Sequence, residues 1–329
     1  PESLYAEIAC SQFPAYRTRG NSKQIQQLAK IITSAKKPVI ITGGGAVHSG
    51  AGELVIQLAE HLSAPVVTTI SGQGIMPDDH PLALGVTGDN GYHPHAHQAI
   101  EKGDTLLYIG CKMGSVSTVK WSKPNLINEQ QIIQIDIDST MLGNAYKNTL
   151  SIAGDSRLVL EDLIEELRHQ IQQTDSSAWV KDLNKQRSAF WEQSQPGLMS
   201  NQVPIKPKRV VDAINRRLSA PSVVIADAGT PTPYITRFLK LRGKGSRFLI
   251  PRAYGGLGFV IPALVGAHLA RPEAKIIGMF GDGSLGMSAG ELETLARLNI
   301  PALMIHFNNG VFGWIKALQS LHSESRYQS

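Results

Sequence analysis

The stretch that most constrains the fold runs from Gly281 to Val311, taken with the apolar run just before it. That run, Ile276 to Phe280, and a second, Ala302 to Phe307, both read as buried strands. Between them, Met287 to Leu298 places Leu292, Leu295 and Leu298 on one stripe at helical spacing, with Glu291, Glu293 and Arg297 around the polar side. A strand, a crossover helix and a second strand in one sheet run parallel, because a helix of this length returns the chain to the edge it left. Asp282 and Asn309 therefore emerge together at the carboxyl ends of the strands, where open α/β sheets bind ligands.

The groups brought to that edge are hard oxygen donors. Asp282 offers a carboxylate, Asn309 an amide oxygen and Val311 a backbone carbonyl, a set suited to Mg²⁺ or Ca²⁺ and not to zinc. Three protein oxygens leave octahedral Mg²⁺ about three ligands short, and phosphate oxygens and water usually supply them. Gly283 and Ser284, just ahead of the helix, leave room for backbone N–H groups to meet a phosphate at its N-terminus. The site suits a diphosphate. A capping role for Asp282 and a turn at Asn308-Asn309 would describe the backbone, but not why all three polar groups share one edge.

Gly281-Asp282-Gly283, a spacer holding a helix and a strand, then Asn308-Asn309 resembles the cofactor-binding signature of thiamine-diphosphate enzymes. The resemblance implies Mg²⁺ on Asp282, Asn309 and Val311, and cofactor contacts from Gly281, Gly283 and Ser284. It extends to the loop Asp227-Ala228-Gly229-Thr230-Pro231, where Gly229 and Thr230 are implied contacts to the diphosphate and thiazolium. In Arg252-Ala253-Tyr254-Gly255-Gly256-Leu257-Gly258, it implies that the Gly255 carbonyl accepts from the cofactor's 4′-amino group. Leu257 is implied as the apolar wedge that bends the cofactor.

With 329 residues, 42% hydrophobic and 18% charged, the chain has the length and composition of a two-domain globular protein. A net charge of +5 spread along the sequence gives no nucleic-acid face. Cys10 and Cys111 form neither metal spacing nor a disulfide framework, and no apolar run or signal pattern points to a membrane, so the expectation is cytoplasmic.

Residues 1–20 read as a lead-in or linker. Residues 21–170 alternate helical and strand patterns: a helical face on Ile25, Leu28, Ile31 and Ile32, strands at 38–42, 65–69, 105–110 and 132–137, helices at 53–62 and 158–167. The expected fold class is α/β, two Rossmann-like domains with mainly parallel sheets, the second an incomplete thiamine-diphosphate-binding fold. Residues 171–207 form an interdomain linker and 208–329 the diphosphate and Mg²⁺ domain, expected to be short at its C-terminal side.

The first of these domains resembles the central domain of the acetolactate synthase and pyruvate oxidase group. The resemblance rests on Lys37-Pro38-Val39-Ile40-Ile41 with Gly43-Gly44-Gly45, Ala64-Pro65-Val66-Val67-Thr68-Thr69, His80-Pro81-Leu82, Asp104-Thr105-Leu106-Leu107 and Ile135-Asp136-Ile137-Asp138. Some members of that group bind FAD here. Where flavin-binding acetolactate synthases carry Arg-Phe-Asp-Asp-Arg, this chain has Lys112-Met113-Gly114-Ser115-Val116, which puts FAD in doubt. Gly43 to Gly45 lack a full GxGxxG, and a tight strand-to-helix turn is the plainer reading. His93, His95 and His97 invite a metal reading, but a polar surface loop around Pro94 is the plainer one; Asp136 and Asp138 read as turn and cap residues or ribose contacts.

The activity implied is that of an acetolactate-synthase-like carboligase on a 2-oxo acid; a simple 2-oxo acid decarboxylase and a noncatalytic diphosphate or nucleotide-binding module are the alternatives. Phe312 and Trp314 are candidates for the substrate side. In the family a glutamate on a pyrimidine-binding domain activates the cofactor. That domain finds no room in this chain, so it is expected from a missing region or a partner subunit, in a homo-oligomer.

Overall fold

The computed structural model describes residues 7–11, 14–125, 129–168, 177–243 and 245–327. The chain divides into two compact units, the first comprising Pro1–Met76, His80–Asp89 and His93–Phe190, the second Pro77–Asp79, Asn90–Tyr92 and Trp191–Ser329.

The first unit alternates strands and helices. In order come α1 (Ser22–Ser34), β1 (Pro38–Thr42), α2 (Gly44–Ser49), α3 (Gly52–Leu62), β2 (Val66–Thr68), β3 (Ala83–Val86), α4 (Pro94–Lys102), β4 (Thr105–Ile109), β5 (Gln131–Asp136), β6 (Leu150–Ala153) and α5 (Ser156–Arg168). A further helix, α6 (Ser177–Leu198), contains the division between the units. The six strands make one parallel sheet in the order β3-β2-β1-β4-β5-β6. Strands buried on both faces read as continuous apolar runs, and β1 and β4 do so because alternate residues serve opposite faces. Ile40 and Leu107 pack with Leu28, Leu58 and Leu163, whereas Val39, Ile41 and Leu106 pack with Ile100 and Leu183.

The second unit contains α7 (Pro207–Asn215), β7 (Ser222–Ala226), α8 (Pro231–Phe238), β8 (Arg247–Leu249), α9 (Val260–Ala270), β9 (Lys275–Gly281), α10 (Asp282–Ser288), α11 (Glu291–Arg297), β10 (Ala302–Phe307) and α12 (Gly313–His322). Its four strands are parallel in the order β10-β9-β7-β8. Helix α9 lies close on the sheet: a Cβ at Gly278 would come within 2.7 Å of Val260 Cγ1. The α/β class with two mainly parallel sheets is as expected. Among the described residues no helix is long and apolar enough to cross a membrane.

Three local expectations are corrected. The single helix expected over 287–298 is two short ones, α10 starting at Asp282 and α11 ending at Arg297. Gly286, Ser288 and Gly290 are weak helix formers, and of the three stripe leucines only Leu295 is buried. His93, His95 and His97 do not form a surface loop. Pro94 occupies the first turn of α4, where its missing N–H costs nothing, and all three imidazoles are buried. His93 Nδ1 accepts the Val86 N–H at 3.0 Å and His97 Nε2 the Gly88 N–H at 3.2 Å, while His93 and His95 pack against Phe190. Finally, β3, β6 and β8, of three or four residues each, were not expected as strands.

Candidate functional site

In the second sheet the chain steps from β7 to β8 on one side, then to β9 on the other side of β7 and outward to β10. The strand order reverses between β7 and β9, which opens a crevice at their carboxyl ends. Three segments leave the sheet there: the loop 227–230 after β7, the first turn of α10 directly after β9, and the loop 308–312 after β10. They surround a cavity of about 860 Å³, within the size range of small-molecule and cofactor pockets.

Every site residue expected from the sequence lines this cavity: Gly229, Thr230, Gly255, Leu257, Gly281, Asp282, Gly283, Ser284, Asn309 and Val311. Phe312 and Trp314 line it as well. Asp282 is the first residue of α10, and its Oδ2 accepts the N–H groups of Asn309 at 2.9 Å and Gly310 at 2.7 Å. Gly310 adopts φ +65°, a left-handed turn that aims its N–H at the carboxylate. Two strand exits are thus fastened together by one aspartate.

One terminal atom of the Asn309 amide lies 2.8 Å from the Val311 carbonyl oxygen and 3.0 Å from Asp282 Oδ2. As nitrogen it donates to both. Turned by 180°, the amide places a third oxygen between the other two, and contacts of about 3 Å are those of neighbouring ligands on a hard cation with bonds near 2.1 Å. The donor set therefore fits an oxygen-ligated divalent cation. Burial pushes the Asp282 carboxyl up, but the N–H groups of Asn309 and Gly310 and the His306 ring outweigh it and hold the group below the usual carboxylate range.

Packing explains the small residues. A Cβ on Gly283 would come within 2.4 Å of Phe312 Cε1 and 3.3 Å of Leu257 Cδ1, so both side chains rest on the glycine in the first turn of α10. One on Gly313 would lie 2.6 Å from Thr230 Oγ1, which sets the loop after β10 against the loop after β7. Ser284 is buried near the Asp227 carboxylate, and its hydroxyl is among the groups that lower the proton affinity of that carboxyl.

Two residues of this site lay in the quoted motifs but carried no expected role. Asp227, at the exit of β7, is buried; its Oδ1 accepts from Ala228 N, and its Oδ2 from Gly258 N at 3.0 Å and Val260 N at 3.3 Å. It ties the Gly255–Leu257 loop and the start of α9 to β7. Burial pushes its carboxyl up, and the hydrogen bonds it accepts only partly reverse this. The second is His306, whose Nε2 sits 2.7 Å from Asp282 Oδ1. A polar residue inside an otherwise apolar strand, two positions from a motif asparagine, was the available signal for it.

In the first unit the corresponding reversal falls between β1 and β4. The Gly43 N–H donates to Ile109 O at 2.9 Å and the Gly45 N–H to Gly110 O at 3.0 Å, so neither is left for a phosphate. Asp136 Oδ1 accepts from Asp138 N, and Asp138 Oδ1 from Thr140 N, the turn and cap roles. These residues do not fit a dinucleotide cradle.

Two family models match the chain in succession. Residues 25–163 match the family model "Thiamine pyrophosphate enzyme, central domain", and residues 227–329 match "Thiamine pyrophosphate enzyme, C-terminal TPP binding domain". The chain is 33% identical over 324 residues to a probable acetolactate synthase large subunit of Methanocaldococcus jannaschii, covering 95% of this chain and 53% of that protein. It is 31% identical over 317 residues to the Methanococcus aeolicus counterpart (92% and 52%), and 28% identical over 319 to the acetolactate synthase isozyme 3 large subunit of Escherichia coli (95% and 54%). The chain spans about half the length of these relatives. It belongs to the thiamine pyrophosphate enzymes, in the group of the acetolactate synthases.

Proposed function

We propose that this chain holds thiamine diphosphate and Mg²⁺ for an enzyme that decarboxylates a 2-oxo acid and joins the remaining fragment to a second carbonyl compound, as an acetolactate synthase would. The observation that carries the reading is the meeting of Asp282, Asn309 and Val311 in the lining of a cavity that Gly255 and Leu257 also line. Among the described residues lining that cavity none is lysine or arginine, so a diphosphate there needs a cation to offset its charge. Asp282, Asn309 and the Val311 carbonyl would hold that cation. Gly281, Gly283 and Ser284 would meet the diphosphate at the start of α10, with Gly229 and Thr230 across from them.

When bound, the cofactor supplies an electron sink for the carbon that loses carboxylate. The protein's part is positional. The Gly255 carbonyl would accept from the cofactor's amino group, and Leu257, propped on Gly283 beside Phe312, would hold the cofactor bent. Phe312 and Trp314 give the cavity an apolar wall suited to a small acid's alkyl group. The activating glutamate would come from a pyrimidine-binding domain outside the matched region or on a partner subunit, in a cytoplasmic homo-oligomer. The division into a central domain at 21–170, a connection at 171–207 and a cofactor domain at 208–329 belongs to the same proposal.

The test is calorimetric titration of thiamine diphosphate into a full-length protein carrying this chain, with Mg²⁺ and with EDTA, followed by product analysis with pyruvate. Metal-dependent binding and acetolactate are expected. Acetaldehyde alone would replace the carboligase by a simple decarboxylase, and binding without turnover would leave a noncatalytic module.

A further inference from the structure

We propose that His306 is a positioning residue for the divalent cation, a reading that rests on the diphosphate and Mg²⁺ site proposed above. The two oxygens of Asp282 have different partners. Oδ1 lies 2.7 Å from His306 Nε2, whereas Oδ2 takes the N–H groups of Asn309 and Gly310 and stands 3.0 Å from the Asn309 amide. An aspartate's terminal torsion is broad, so an unheld carboxylate can present either oxygen, or both, to a cation. The two N–H groups hold Oδ2 on the Asn309 side, and the imidazole completes the restraint from the other end: with Oδ1 engaged, Oδ2 is the oxygen left facing Asn309 and Val311.

The ring is itself held. His306 and Phe280 are register partners across β10 and β9, and their rings stack with centroids 5.6 Å apart and planes 20° from parallel. Phe280 is buried in the core of this sheet. Asp282 follows two residues after Phe280, so the strand that anchors the imidazole also delivers the carboxylate it binds. An ionised carboxylate only accepts, which requires the proton on Nε2. A donor of this kind behind a ligating carboxylate fixes which oxygen meets the metal and raises the metal affinity of the site.

The experiment uses the full-length protein carrying this chain, titrated with Mg²⁺ at fixed thiamine diphosphate, with cofactor binding read by calorimetry. His306→Phe keeps a ring to stack on Phe280 but has no donor; His306→Gln keeps an N–H at about the reach of Nε2 but has no ring. The expected result is a Mg²⁺ half-saturation raised about tenfold in His306→Phe, with cofactor affinity at saturating Mg²⁺ little changed, and a value near wild type in His306→Gln. An unshifted His306→Phe, or a His306→Gln as weak as His306→Phe, overturns the proposal. If His306→Phe does not fold, ¹⁵N-histidine spectra of the wild type decide: a protonated Nε2 at His306, assigned by its loss in His306→Gln, is required, and an unprotonated one overturns it. Wild-type protein without Mg²⁺-dependent binding overturns the cofactor reading and this one together, whereas Mg²⁺-dependent binding with an unshifted His306→Phe overturns this one alone.

Discussion

Gly43 and Gly281 are nearly the same residue in two places. Each follows a parallel strand beside the reversal of its sheet, each precedes a short helix as its N-cap, and their backbones are alike, φ −107° and ψ −175° against φ −101° and ψ −176°. Their surroundings differ. A Cβ on Gly43 would lie 2.2 Å from Gly110 O and 2.7 Å from Cys111 Cα, whereas one on Gly281 would find nothing nearer than Phe307 O at 3.9 Å. One crevice is sealed by backbone against backbone, and the other is open around a cavity. A glycine turn after a strand therefore does not make a ligand site. What stands at the neighbouring strand exits decides: Gly110 and Cys111 close the first crevice against Gly43, whereas Thr230 and Asn309 line the cavity at the second.

The open crevice has the largest expected response. Asp282→Ala removes the proposed cation's carboxylate and the acceptor that fastens the Asn309-Gly310 turn. Mg²⁺-dependent thiamine diphosphate binding should fall by about a hundredfold or more by calorimetry, in keeping with the loss of a charged group that both ligates and organises. Retained affinity would remove the difference in function between the two crevices. In the sealed one, Gly43→Ala should cost about 3 kcal/mol in denaturant unfolding, because the two nearest atoms to the new methyl, Gly110 O and Cys111 Cα, belong to backbone and cannot yield. Its φ suits any residue, so the cost is steric. The Cys111 thiol, which burial pushes up to about 11, gives a second readout. Thiol labelling of Cys111, slow while the seal is closed, should quicken in the variant.

The strand, helix and strand around Asp282 and Asn309 were legible because that signal is local: apolar runs of strand length, a turn of small residues and a spacing that only a crossover satisfies. The burial of His93, His95 and His97 was not, since polar letters near a proline look the same whether their nitrogens face water or the backbone N–H groups of Val86 and Gly88. Gly43 to Gly45 and Gly281 to Gly283 differ in what packs on them, and that is set by Gly110 in one case and by Phe312 and Leu257 in the other, residues remote in sequence. Asp227 was visible as part of a loop, but its partners Gly258 and Val260 lie about thirty positions on.

A smaller effect is expected from Gly281→Ala, the direct counterpart of Gly43→Ala. Both variants lose a glycine cap, a change worth about 1 kcal/mol or less, so the excess in Gly43→Ala measures the seal alone. Gly281→Ala should unfold within about that margin of wild type. Its methyl nevertheless points toward the crevice the diphosphate would occupy, and cofactor binding should weaken about tenfold. Equal destabilisation by the two substitutions would show that the open crevice is closed in solution.

The smallest effect concerns what receives the N–H groups at each crevice. In the first unit the acceptors for Gly43 and Gly45 are carbonyls, which do not titrate between pH 4 and 8; in the second, Asp227 accepts from Ala228, Gly258 and Val260. Burial raises the Asp227 carboxyl above its ordinary value of 3.8 in the folded chain. The folded state thus binds this proton more tightly than the unfolded state. The contribution to stability is greatest below the unfolded value, is lost as pH rises through the raised folded value, and is constant above it. Asp227→Asn removes the titrating group. The variant lacks one acceptor and should be less stable at every pH, but the difference between wild type and variant in urea unfolding should shrink as pH rises from 4 and then level off. A difference that widens over that interval would mean that the three N–H groups, and not burial, set the proton affinity of Asp227, and both crevices would then rest on hydrogen bonds that acid leaves in different states.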